Sequence, residues 1–371
     1  MRKTPLLVVG AVALAAALPT SAFAGRAEGH RATTLAVYGD APYFDKTAGS
    51  GDQKLQLSRE YLATPAFIDN INADPDVSLV THVGDIHSGQ ETCRQDYDQG
   101  VFDMWTKYED PLVYTPGDNE WSDCSKLPGQ APATNPADNL ALVRSIFFAH
   151  PGNTLGENPM KVTSQADVAA RGNGNPDDTN YVENVEFVKG GTLFMTLNIP
   201  GGSNNDADPW APSVVKPDNP MEQYNERIQR TQATLDWFDR NFTIAQREAD
   251  IKQVVIFEQA DMWDTADAGN PAHLANYEPF VASIADHTNA LGKPVLLMNG
   301  DTHVYRSDNP YSGAVTKDLH PGYDVPNLHR IVVQGSAPKM EWLKLTIDSG
   351  ADNGATANSF GPFSWTRQMF N

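Results

Sequence analysis

An α/β fold built on a mixed sheet is what this sequence predicts, on three observations. Short apolar runs alternate with segments of helical spacing through the first 150 positions. Two alternating segments then flank a Gly-Gly turn. The last third returns to strand-like runs around one further helix.

Residues 34–40 (TLAVYGD) form a short apolar run ending in Gly-Asp and read as a buried strand. Residues 53–72 have helical spacing, with Leu57, Tyr61, Ile68 and Ile71 on the inner side and Pro65 as a kink. VSLVTHVGD is a second buried strand, a helix follows over 97–108, and PLVYTPGD is a third strand. Residues 140–148 read as helix, and the Gly-, Asn- and Pro-rich stretch 150–178 as a long surface excursion. NYVENVEFVKGGTLFMTLNIPG reads as a hairpin, and 204–220 as loop. Over 220–247, Met221, Tyr224, Ile228, Leu235, Phe238 and Phe242 make one apolar stripe, expected to face the core. QVVIFEQAD is a strand, 280–291 a helix, KPVLLMNGD a strand, and HRIVVQGS and EWLKLTID close the chain as strands. No internal repeat and no linker divides it, so residues 25–371 are expected to form a single domain.

The first 24 residues stand apart. Arg2 and Lys3 precede the apolar run from Leu6 to Leu18, and Ala22-Phe23-Ala24 is a small-x-small cleavage site. This is the pattern of a signal peptide cut near Ala24, so a secreted or periplasmic chain with no membrane anchor is expected. Loss of Arg2 and Lys3, the only charged residues in that segment, takes the formal charge from -20 to -22. Such a polyanion is repelled by nucleic acid and by anionic membranes, and neither is expected as a partner. The only cysteines, Cys93 and Cys124, are expected to pair in an oxidising compartment, which would stabilise the fold by roughly 3–4 kcal/mol.

The chemistry is carried by four strand ends. Runs finish in Gly-Asp at Asp40, Asp85, Asp118 and Asp301, the last followed two residues on by His303. One Gly-Asp pair alone favours a turn or a helix cap over a ligand. Four in series suggest a meeting point, because ligands in α/β sheets sit beyond the carboxyl ends of the strands. Ionised carboxylates packed together either take up protons or collect cations. Oxygen donors with one imidazole suit Mn, Mg or Ca better than Zn.

The order Gly39-Asp40, Gly84-Asp85, Gly117-Asp118-Asn119-Glu120, Gly300-Asp301-Thr302-His303 resembles the calcineurin-like metallophosphoesterase family. That family's pattern is Asp-x-His, Gly-Asp, Gly-Asn-His-Asp/Glu, a lone His after a strand, and Gly-His-x-His. The resemblance implies an α/β four-layer sandwich of two mixed sheets flanked by helices, with a two-metal centre. It implies Asp40, Asp85 and His303 as ligands of one cation, Asp85 bridging, and Asp118, Asp301 and Gln259 as ligands of a second. The departures are specific. Ala41-Pro42-Tyr43 follows Asp40 without a His, Asp118 stands at the metal-binding Asn, Asn119 at the catalytic His, Gln259 at the lone His, and Asp301 at the first His of the last motif.

The activity implied is metal-dependent hydrolysis of a small or exposed phosphoester by one or two divalent cations, a single-metal centre being left open by the altered ligands, with Asn119, His87 and Arg306 as catalytic candidates. Asn119 would donate to a phosphoryl oxygen, His87 would stand in for the absent acid, and Arg306 would clamp phosphate. Tyr43, Trp121, Trp210 and Trp263 are candidates to line a substrate mouth, whereas His82, inside a strand, is expected in the core. The alternatives are an inactive binding protein of the same fold with a structural cation, and an exported surface or matrix module. Oligomeric state is left open.

Overall fold

The computed structural model describes residues 32–43, 59–89, 91–125, 133–206, 209–335 and 340–370. The expected signal peptide lies outside these residues. In chain order the elements are β1 (Thr33–Tyr38), α1 (Arg59–Asn72), β2 (Val77–His82), α2 (Gln95–Trp105), β3 (Leu112–Tyr114), α3 (Pro136–Phe147), β4 (Thr163–Ser164) and α4 (Gln165–Ala170). They continue with β5 (Val185–Lys189), β6 (Thr192–Thr196), α5 (Gly201–Asn205), α6 (Glu222–Arg247), β7 (Gln253–Phe257), α7 (Pro271–Ala275), α8 (Glu278–Leu291) and β8 (Val295–Asn299). The chain closes with β9 (Arg306–Asp308), β10 (Leu328–Val332), β11 (Glu341–Ile347), β12 (Ala355–Thr356), β13 (Ser359–Phe360) and β14 (Phe363–Met369).

Among the described residues the strands form two mixed sheets of seven, ordered β12-β13-β14-β11-β1-β2-β3 and β4-β5-β6-β7-β8-β10-β9. Strands β1, β2 and β3 run parallel, as do β6, β7, β8 and β10. The alternation of side chains along each strand builds the layers. Leu35 and Val37 pack between the sheets with Leu79, Val255, Phe257, Leu296 and Met298. Their neighbours Ala36 and Tyr38 face the opposite way, onto Phe67, Ile68, Val101, Trp105 and Val143 of α1, α2 and α3. On the far side of the second sheet, Val254, Ile256, Val295 and Leu297 meet Trp237, Phe238 and Phe242 of α6 and Phe280, Val281 and Ile284 of α8. Each fully buried side chain of this kind contributes about 1.5–3 kcal/mol, so a one-residue register slip in a central strand is heavily disfavoured. This is the two-sheet α/β sandwich expected above.

Helix boundaries follow local chemistry. The Asn135 side chain caps α3 by accepting from Asp138 N–H at 3.1 Å, and Pro136 opens the helix. Helix α8 stops at Gly292, whose φ of 63° is left-handed.

Two expectations need correction. The 150–178 stretch is not all surface: β4 pairs with β5, and Ala166, Val168 and Ala169 of α4 are buried. Its Gly and Asn content concealed a short packed unit. The stripe on α6 is core only in its second half. Met221, Tyr224 and Ile228 are 54%, 50% and 45% exposed. The buried face there runs through Arg230, Ala233 and Trp237, and Arg230 donates to Glu226 Oε1 at 2.7 Å and Asn198 O at 3.2 Å. Cys93 and Cys124 form the expected disulfide, with Cα atoms 5.8 Å apart. No helix among the described residues is long and apolar enough to cross a membrane.

Candidate metal centre

The carboxyl ends of β1, β2, β3, β7 and β8 deliver Asp40, Asp85, Asp118, Gln259 and Asp301, and they meet where the two sheets come together. Backbone bonds fix the meeting. Asp40 N–H donates to Gly84 O at 2.9 Å, and Gly300 N–H to Gln259 O at 3.1 Å. Asp301 N–H donates to Asp40 Oδ1 at 2.9 Å, tying one sheet to the other.

Asp40, Asp85, Asp301 and His303 have φ values of 49°, 64°, 75° and 59°. Non-glycine residues rarely enter this left-handed region, and when they do the surroundings must hold them there. The turn is therefore made by the aspartates themselves. Of the preceding glycines, only Gly84 has a left-handed φ, 95°. Gly117 and Gly300 are required for space: a Cβ would lie 2.0 Å from Asp85 Oδ1 and 2.4 Å from Asp40 Oδ2, respectively.

One ligand atom each from Asp40, Asp85 and His303 lies within 4.8 Å of the others. His303 Nε2 stands 3.5 Å from Asp40 Oδ1, and its ring packs edge-on to Tyr43 at 4.9 Å. Asp40 is fully buried, yet its Oδ2 has no hydrogen-bond partner among the described residues. A buried carboxylate oxygen left this way is costly unless a cation meets it. Burial, then the neighbouring Asp301 charge, holds Asp40 well above the usual carboxylate range. Burial, then Asp118, does the same for Asp85 and for Asp301. This donor set fits a divalent cation bound through oxygen and one imidazole.

The other carboxylate contacts are orderly. Asp85 Oδ1 accepts Asn119 N–H at 3.1 Å, and its Oδ2 accepts the Tyr43 hydroxyl at 2.8 Å. Asn119 Nδ2 donates to that same hydroxyl at 2.7 Å. Gln259, fully buried, turns its amide nitrogen to Asp85 Oδ2 at 3.1 Å and Asp118 Oδ1 at 3.0 Å. Its oxygen accepts Gly201 N–H at 2.5 Å.

The two remaining candidates have partners of their own. His87 is 1% exposed, with Nδ1 at 3.3 Å from Ser88 O and its ring edge-on to Tyr97. Arg306 pairs with Asp261 at 3.1 Å. The Asp261 carboxylate also takes Arg330 at 2.5 Å and Thr302 Oγ1 at 3.0 Å, while Asp261 N–H donates to Asp301 Oδ2 at 3.0 Å. Arg306 thus reaches the centre through Asp261.

Sequence reasoning missed Tyr43 as a partner of Asp85, along with Asp261, Arg330 and Gly201. Only Tyr43 carried a signal, standing three residues after Asp40. The expected substrate mouth is also corrected. Tyr43, Trp121, Trp210 and Trp263 are 5%, 0%, 4% and 0% exposed. Trp121 and Trp263 instead support the buried Arg230 and Arg330, whose guanidinium carbons lie 5.3 and 5.6 Å from the ring centres.

No protein-family profile matches the sequence, and no curated protein matches it. Among solved structures, the chain is similar to a 5'-nucleotidase from Candida albicans, at 11% identity and a TM-score of 0.42, over 91% of this chain and 51% of that one. It is also similar to the purple acid phosphatase PPD1 from yellow lupin seeds, at 11% identity and a TM-score of 0.42, over 90% of this chain and 54% of that one. The chain thus spans about half the length of these structures. The molecule itself presents a two-sheet α/β fold whose strand ends gather Asp40, Asp85 and His303 into a group able to hold a cation.

Proposed function

We propose that this chain is an exported, metal-dependent phosphoesterase of the calcineurin-like type, folded as a single domain over residues 25–371. One observation carries the reading: Asp40, Asp85 and His303, up to 263 positions apart in sequence, place three ligand atoms within 4.8 Å, all three at left-handed φ, with the two carboxylates buried and His303 half-buried. The order of the strand-end motifs and the Cys93–Cys124 disulfide support it.

A divalent cation held there, Mn, Mg or Ca in preference to Zn, would supply charge for the phosphoryl oxygens and lower the pKa of a bound water. The chain's own residues do the rest. Tyr43 and Asn119 N–H hold both oxygens of Asp85. An amide has two N–H groups; Asn119 spends one on Tyr43, leaving the second to meet a phosphoryl oxygen. Arg306, bound to Asp261, is a positioning residue rather than a phosphate clamp. His87 is 1% exposed with Nε2 unpartnered among the described residues, and in this reading it hands no proton to a departing alcohol. Substrates that leave without protonation, such as aryl phosphates, are therefore favoured.

The second reading, a cation-holding binding protein without turnover, is favoured by one fact: Asn119 stands where the family's catalytic His would be and cannot act as an acid. Turnover of aryl phosphate mono- and diesters with Mn, Mg and Ca separates the two. Hydrolysis that vanishes in Asp85→Asn supports the enzyme. Cation binding without turnover across the panel supports the binding protein, and an unchanged rate in Asp85→Asn removes Asp85 from the mechanism.

A further inference from the structure

The four aspartates with His303 suggest two cations, and the geometry of Gln259 disagrees. Its side chain is fully buried and all its polar atoms are committed: Nε2 to Asp85 Oδ2 at 3.1 Å and Asp118 Oδ1 at 3.0 Å, Oε1 to Gly201 N–H at 2.5 Å. All three contacts oppose reversal of the amide while the carboxylates are ionised. A reversed amide would set its oxygen against two carboxylate oxygens and its NH2 against an N–H, losing all three hydrogen bonds. Its lone pairs therefore face away from the carboxylates, and its hydrogens lie between Asp85 and Asp118.

Three further observations agree. A Cβ on Gly201 would lie 2.7 Å from Asp118 Oδ2 and 2.8 Å from Asp301 Oδ1, so backbone packs closely over that pair. Asp301 Oδ2 already accepts Asp261 N–H at 3.0 Å. Among the described residues, three ligand atoms of His, Cys, Asp or Glu come together only at Asp40, Asp85 and His303, where Asp40 Oδ2 lacks a partner.

We infer that this centre holds one divalent cation, at Asp40, Asp85 and His303, and that the Gln259 amide fills the place where a second would bridge Asp85 and Asp118. The inference rests on the metal-dependent reading above. Two hydrogen bonds from a neutral amide hold the Asp85 and Asp118 oxygens in place of a shared ion. Asp118 is then a positioning residue, setting Asp85 through Gln259.

The test counts ions. Full-length protein stripped with chelator is titrated with Mn alone, and bound Mn per chain is read by elemental analysis after desalting. Low-temperature EPR distinguishes isolated from exchange-coupled ions. Wild type is expected to hold one Mn per chain with an isolated-ion spectrum. Gln259→Glu and Gln259→His, each adding a donor with lone pairs facing the carboxylates, are expected to rise to two with a coupled spectrum. Circular dichroism confirms that the variants fold, and the wild-type count decides the stoichiometry if they do not. Two coupled ions in wild type overturn the inference and leave the phosphoesterase reading standing. A single ion in wild type and in both folded variants overturns the role given to Gln259. No bound Mn in wild type overturns this inference and the reading beneath it.

Discussion

The Asp301 N–H donates to Asp40 Oδ1 at 2.9 Å across 261 positions of sequence. Asp40 follows β1 in one sheet and Asp301 follows β8 in the other. The candidate centre therefore bridges two sheets, and its geometry depends on how they pack. It also depends on the groups that orient its carboxylates, and four consequences can be measured.

Tyr43 orients Asp85 through its hydroxyl and supports His303 through its ring. Tyr43→Phe keeps the ring and removes the donor. Partners of this kind are worth about 10–100-fold in metal affinity, so Mn affinity measured by calorimetry should fall by that factor with the fold intact. Unchanged affinity would show that Asn119 N–H and the Gln259 amide suffice to hold Asp85.

Asp98, on α2, is buried, and burial pushes its carboxyl up to about 7, with His87 pulling the other way. A folded-state pKa above the unfolded value means the native state binds more protons, so stability from this group is full near pH 4 and lost as pH rises toward 7. The loss is about 4 kcal/mol at most. Asp98→Asn should melt higher than wild type at pH 8 and show a flatter pH dependence between 4 and 7. Thermal unfolding in chelator checks this, and parallel curves would remove Asp98 as a source of the slope.

Arg330 and Asp261 are both fully buried in their side chains and meet at 2.5 Å. Nearby Glu258 is buried too, with neither carboxylate oxygen hydrogen-bonded among the described residues. Burial, then the Asp261 charge, pushes Glu258 up, while Arg330 pulls it down. Arg330→Met removes the fully buried partner of Asp261 and leaves it Arg306, so it should cost about 3 kcal/mol, the lower end for breaking a buried pair, in chemical denaturation. Mn binding should weaken as well, because Asp261 N–H holds Asp301, whose own N–H holds the Asp40 carboxylate. Lys216→Ala, which breaks an exposed pair with Asp138, should cost under about 1 kcal/mol.

The Cys93–Cys124 disulfide closes a separation of 31 residues and ties the segment after Asp85 to the segment after Asp118. In the chain-entropy model such a loop contributes about 3–4 kcal/mol. Replacing both cysteines with Ser should lower stability by that amount in urea unfolding. A cost well under 1 kcal/mol would show that packing alone holds these segments.

The strands and most helices were legible because their signal is local. Leu35 and Val37 face one way and Ala36 and Tyr38 the other, and a strand buried on both faces shows as an unbroken apolar run. The α6 stripe misled at Met221, Tyr224 and Ile228 because periodicity reports a face, not what covers it. Gly117 and Gly300 stand before their aspartates in the sequence, but only the fold shows what a side chain there would meet. Their missing Cβ atoms make room for carboxylates arriving from other strands.

By itself the sequence determined that aspartates would stand at the ends of buried strands, that an α/β architecture would carry them, and that two cysteines were available to pair. Tertiary structure decided which atoms meet: Tyr43 on Asp85, Gln259 between Asp85 and Asp118, Arg306 on Asp261 instead of toward solvent. Periodicity and turn chemistry act over a few residues, whereas Gln259 and Asp85 are 174 positions apart. The direction in which a buried amide points is set by all its partners at once, and no stretch of chain contains them all.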